Sequence, residues 1–158
     1  METKIVKQTE VWLPADSAKT IRVFNPEKIV PQKHLRVKSI ETNSEFTRID
    51  FHYRSSYEYA NGGWIQIEKN TFIQPVGSKQ RFGLIEAHGI PIAPKKHYFK
   101  RQGEDYTYTL VFPALPKNTS KINIIEKEAP GTFFNFYNVD YSNWMTVPHP
   151  SDLPISKN

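Results

Sequence analysis

Along most of this chain apolar and polar residues alternate with a period of two, the spacing of strands that bury one face. The clearest run is Tyr106-Thr-Tyr-Thr-Leu-Val-Phe112, in which Tyr106, Tyr108, Leu110 and Phe112 fall on one side. In Phe46 to Tyr53, the residues Thr47, Ile49, Phe51 and Tyr53 share a face and Arg48, Asp50 and His52 share the other. Leu35 to Thr42 begins with Leu35 and Val37 in phase, then shifts register at Ile40. Shorter strands are predicted at Thr20–Phe24, Trp64–Ile67, Thr71–Gln74, Gln80–His88, Lys121–Glu128 and Thr132–Asp140, with a strand or irregular arm at Thr3–Leu13.

Turn chemistry separates these runs: Pro14-Ala-Asp-Ser17, Asn25-Pro26, Pro31, Gly62-Gly63, Val76-Gly-Ser-Lys79, and Gly89 with Pro91 and Pro94. No convincing helix emerges. Asp16–Phe24 and Ser120–Lys127 are long enough for one, but both are rich in Ile, Val and Thr and follow the strand period. Roughly eight short strands with turns every 8–12 residues or so predict an all-β, antiparallel sandwich or barrel. Residues 1–34 read as an N-terminal arm with one or two strands packing on the domain, 35–141 as the β-sandwich, and 142–158 as a Pro-rich tail or linker.

Composition narrows this picture. A chain of 158 residues suits one domain with a real core. Its 8 Tyr, 10 Phe and 3 Trp argue against disorder, and its 12 Pro against long helices. The net charge of +5 is spread along the chain; the densest basic groups, Pro94–Arg101 and Lys33–Lys38, are broken by apolar residues. Tyr98 and Phe99 beside Lys100 and Arg101 have the composition of a base-stacking strip, which is equally that of a half-exposed strand. Nucleic acid is therefore not favoured as a partner. The absence of cysteine excludes a disulfide framework, a thiolate zinc site and a thiol nucleophile in this chain. No apolar run approaches a signal-peptide core or a membrane span.

Candidate chemistry is thin. His34, His52, His88, His97 and His149 show no ligand spacing, so no metal site is expected. Ser55 and Ser56 lie near His52 without a nucleophile-elbow motif. Glu58, Glu104, Asp105, Glu126 and Glu128 could supply a carboxylate pair, but carboxylates at strand ends are ordinary solvation. No catalytic residue and no cofactor is assigned. The best recognition candidate is the loop Tyr57-Glu-Tyr-Ala-Asn-Gly-Gly-Trp64, whose Tyr, Asn and Gly content matches that of binding loops on sandwich scaffolds. Tyr57, Tyr59 and Trp64 are its candidate binding residues, with Trp64 expected to pack in the core beneath the two tyrosines.

The strings Gly63-Trp-Ile-Gln-Ile-Glu-Lys-Asn-Thr-Phe72, Ala87-His-Gly-Ile-Pro-Ile92, Tyr106–Pro116, Ile122-Asn-Ile-Ile-Glu126 and Phe134-Asn-Phe-Tyr-Asn-Val-Asp140 occur in this order. Together, over residues 35 to 141, they resemble a small immunoglobulin-like β-sandwich domain of bacterial envelope and secreted proteins, often fused to thioredoxin-like or trypsin-like peptidase domains. Members often carry Ile/Phe-Glu-Gly where this chain has Ile125-Glu126-Lys127. The resemblance implies a periplasmic or secreted setting, although this chain shows no signal peptide. It also implies a non-catalytic module that binds a partner or supports a neighbouring domain. Three readings stay open: a protein-interaction or support module, a carbohydrate-binding module with an aromatic platform, and a hydrolase with a loop-assembled site.

Overall fold

The computed structural model of the chain describes residues 34–141, together with the backbone of Ala18–Arg22 and Thr146–Val147. The expected arm at Thr3–Leu13, the turns at Pro14–Ser17, Asn25-Pro26 and Pro31, and most of the Pro-rich tail lie outside the described residues. Within them the chain is all β, with no helix. The strands are β1 (Ala18–Arg22), β2 (Leu35–Asn43), β3 (Phe46–Arg54), β4 (Trp64–Ile65), β5 (Phe72–Pro75), β6 (Phe82–Gly83), β7 (Glu86–His88), β8 (His97–Tyr98), β9 (Asp105–Pro113), β10 (Lys121–Ile125), β11 (Phe136–Asp140) and β12 (Thr146–Val147).

Three sheets result, every strand pair antiparallel. One has the order β12-β1-β2-β3-β9-β7, one β11-β10-β5-β6, and β4 pairs with β8 alone. The two larger sheets share one core. Val37, Ile40, Ile49, Phe51, Leu110 and Phe112 come from the first; Ile73, Ile122, Ile124, Phe136 and Val139 come from the second. Phe51 meets Phe136 with ring centroids 6.1 Å apart, which joins β3 to β11 across the interior. Each such fully buried side chain contributes about 1.5–3 kcal/mol.

Alternation explains the strands. In β3, Thr47, Ile49, Phe51 and Tyr53 are buried while Arg48 and Arg54 are exposed. In β9, Tyr108, Leu110 and Phe112 are buried and Tyr106 packs against them. The register of β2 against β3 slips between Val37 and Ser39, so Leu35, Val37 and Ile40 all face inward although Ile40 is out of phase.

Gln80–His88 is not the single strand its sequence suggests. Gly83 pairs with Phe72 in the four-stranded sheet, whereas Glu86 pairs with Val111 in the six-stranded one. The hand-over falls between consecutive residues: the Leu84 amide donates to Thr71 O at 2.8 Å and the Ile85 amide to Val111 O at 2.8 Å. Thr132–Asp140 is likewise a strand only from Phe136, because the residues before it are bonded to the end of β10.

Candidate functional site

The chain between β3 and β4 is pinned before it becomes a loop. Ser55, fully buried, donates its hydroxyl to Arg101 O at 2.7 Å and accepts the Glu104 amide at 2.8 Å. Its backbone adds Ser55 N to Glu104 O and Gly103 N to Ser55 O. Gly62 follows the same contour: at φ +91°, a Cβ there would overlap Arg101 O and the Ser55 side chain. At the tip, Gln102 Nε2 donates to Tyr57 O at 3.2 Å and Tyr59 O at 2.9 Å. The loop is thus held at base and tip by the turn that precedes β9.

This fixes the two tyrosines on different sides. Both are 61% exposed. Tyr59 lies against Gly63 and lines a groove of about 840 Å³. Tyr57 is outside the groove, its hydroxyl over Gly103. Trp64 is not the core residue expected beneath them: it is 45% exposed and lines the groove. The reason is strand phase. Ile65 and Ile67 are the inward pair of this segment, both almost fully buried, so Trp64 and Gln66 take the opposite side.

The partner strand adds a further ring, Tyr98, which the sequence places in a stacking strip or a half-exposed strand and not in this site. Tyr98 stands directly opposite Trp64 in the β4–β8 ladder, is 66% exposed and lines the same groove. Its neighbour Phe99 is buried, stacked on Tyr53 at 5.5 Å between centroids. Lys96, two residues before Tyr98, places Nζ 4.7 Å from the Trp64 ring centroid, a cation–π contact. The far wall is Phe133 and Phe134, with Lys127 Nζ 5.2 Å from the Phe133 ring.

Glu126 also lines the groove, yet is only 5% exposed. Its Oε2 accepts the Glu68 amide at 3.1 Å and its Oε1 the Phe134 amide at 2.7 Å. Burial outweighs those two bonds and pushes the carboxyl up to about 7, with Glu68 adding repulsion and Lys127 attraction. Burial also raises four phenols: Tyr53, with help from Tyr59; Tyr106, with help from Glu104; Tyr141, to about 12; and Tyr108 well above its ordinary value, with help from Glu126 and Tyr53. The Tyr108 hydroxyl and Gln66 Oε1 are buried without a protein partner.

The other candidates do not converge. His52 points to the outer face and meets Asp105 at 3.2 Å, away from Ser55, whose hydroxyl is already engaged on both sides. Ser56 Oγ accepts the Glu58 amide. The hydrogen bond from Arg54, more than the charge of His52, holds the Asp105 carboxyl below its usual value. His88 pairs with Glu86, and His97 stacks on Tyr106 at 4.4 Å. Among the described residues no three metal-ligating side chains gather, and no helix is long and apolar enough to cross a membrane. His149 lies outside them. Compared with family models, curated proteins and solved structures, the chain matches none.

Proposed function

We propose that this chain is a non-catalytic binding module, an immunoglobulin-like β-sandwich of a bacterial envelope or secreted protein, whose groove beside β4 and β8 receives a glycan. The sandwich reading draws on two antiparallel sheets that share a core through Phe51 and Phe136. The observation that carries the binding reading is the pair Trp64 and Tyr98, directly opposed across two short strands and both open on the groove. Rings on a fixed backbone lose little entropy when a ligand stacks on them. The apolar faces of sugar rings suit them, and Asn61 along the same groove offers a partner for hydroxyl groups.

The non-catalytic reading follows from how the reactive groups are spent. Ser55 is a structural fastener, and both oxygens of Glu126 are taken by backbone amides. A second reading, a protein partner or support of a neighbouring domain, draws on Tyr57, which is equally exposed and lies outside the groove.

A glycan array probed with the parent, Trp64→Ala and Tyr98→Ala separates these. The parent is expected to retain at least one glycan class, and each variant to lose about 1–3 kcal/mol of affinity while keeping its melting temperature. Equal binding by parent and both variants overturns the groove as the site. Release of reducing sugar overturns the non-catalytic reading. A protein captured by the parent but not by Tyr57→Ala favours the second reading.

A further inference from the structure

The rim of the groove is charged on one side. From Lys96 to Lys100 the chain alternates: Lys96, Tyr98 and Lys100 are exposed, while His97 is half-buried and Phe99 buried. Lys96 Nζ sits over the Trp64 ring beside Tyr98, and Lys100 is exposed just past the end of β8. Lys95 and Arg101 are exposed at the two ends of the same segment. Among the described residues no carboxylate pairs with the ammonium of Lys95, Lys96 or Lys100; the Glu104 carboxylate nearest Lys100 bonds its backbone amide instead. Glu126 in the groove lining is buried, with both oxygens on backbone amides.

We infer that the saccharide taken by this groove is anionic, a carboxylated sugar chain whose rings stack on Trp64 and Tyr98 and whose acid groups meet Lys96 and Lys100. This rests on the glycan reading of the groove. Lys96 already holds one face of the indole, so its charge is fixed beside the stacking position rather than free in solvent. A single-stranded nucleic acid would also stack and also carry anions, but the basic groups here are few and broken by apolar residues, short of the continuous basic track that a phosphodiester chain follows.

The test is calorimetric titration of the full chain with hexamers of galacturonate, the methyl ester of the same hexamer, a hyaluronan hexamer and a dT 12-mer. At least one acidic hexamer is expected to bind, and the methyl ester at least about tenfold more weakly than its parent acid, since only charge has changed. The pair of changes Lys96→Gln and Lys100→Gln should weaken the acidic hexamer about five- to tenfold, with circular dichroism unchanged, and added salt should do the same. Trp64→Ala should cost at least about tenfold, which binding by charge alone would not show. No acidic hexamer bound, an ester that binds as well as its acid, or a tighter dT 12-mer each overturns the inference. If uncharged glycans bind through Trp64 and acids gain nothing, the charge inference falls while the glycan reading stands. If an acidic hexamer binds and neither Trp64→Ala nor Tyr98→Ala affects it, the groove reading falls too.

Discussion

Glu126 and Phe134 are joined by a 2.7 Å hydrogen bond from the Phe134 amide to Glu126 Oε1, so a buried carboxyl holds the segment that walls the groove. Its second oxygen holds Glu68, 58 positions away in sequence. Asn135 closes the arrangement from the other side, accepting the Glu126 and Lys127 amides on Oδ1. One side chain therefore ties the end of β10 to the approaches of β5 and β11.

That carboxyl gives stability a defined pH dependence. Folding raises it from an ordinary 4.5 to about 7, because burial disfavours the charge. The folded state then holds the proton more tightly than the unfolded chain does. The contribution of Glu126 is complete below about pH 4.5 and is lost as pH rises through about 7, a swing of about 3 kcal/mol at most. Urea denaturation of the parent and Glu126→Gln at pH 5 and pH 8 should show the variant with the shallower fall. It should also be weaker at pH 5 by about 1–3 kcal/mol, since an amide cannot accept from both backbone donors. Parallel pH profiles would refute this account.

Ser55→Ala should cost about 1–3 kcal/mol, because it strands the Glu104 amide and the Arg101 carbonyl at a buried site. The same change should loosen the loop that carries Tyr59, read as faster amide exchange at Gly62 and Gly103. A variant with parental stability would show that the fastening is dispensable.

Leu110→Ala should cost about 2–5 kcal/mol, the range for emptying a closed core site, since Leu110 is 1% exposed between β3 and β7. A loss under about 0.5 kcal/mol in chemical denaturation, the level of surface changes, would contradict the packing.

Tyr108→Phe should be neutral or stabilising by up to about 1 kcal/mol, because the hydroxyl it removes is buried without a protein partner. The ring itself stays stacked on Phe51, 4.9 Å between centroids. A clear drop in melting temperature would mean that the hydroxyl is bonded in solution.

Much of the sheet framework was legible in the order of residues. The inward faces of β3 and β9, and the phase change of β2 at Ile40, follow from the period-two pattern because each strand is long enough to show it. Trp64 was misplaced although the signal was there: Ile65 and Ile67 set the buried phase, and Trp64 keeps step with Gln66. The same logic exposes Tyr98 once Phe99 is inward. The sequence does not decide the exposure of Tyr57 and Tyr59, nor that only Tyr59 lines the groove, because Gln102 and Gly103, which contact this loop, lie more than forty positions away. No local pattern marks Glu126 either, since its partners are set by tertiary pairing.

The hand-over at Leu84 and Ile85 gives the molecule a mechanical seam. Neighbouring peptide groups are bonded into different sheets, so pulling the sheets apart must load covalent backbone and not only the contacts between ring faces. Sliding one layer over the other is blocked at that point in the same way. A load entering through either layer is shared with the other at this stitch.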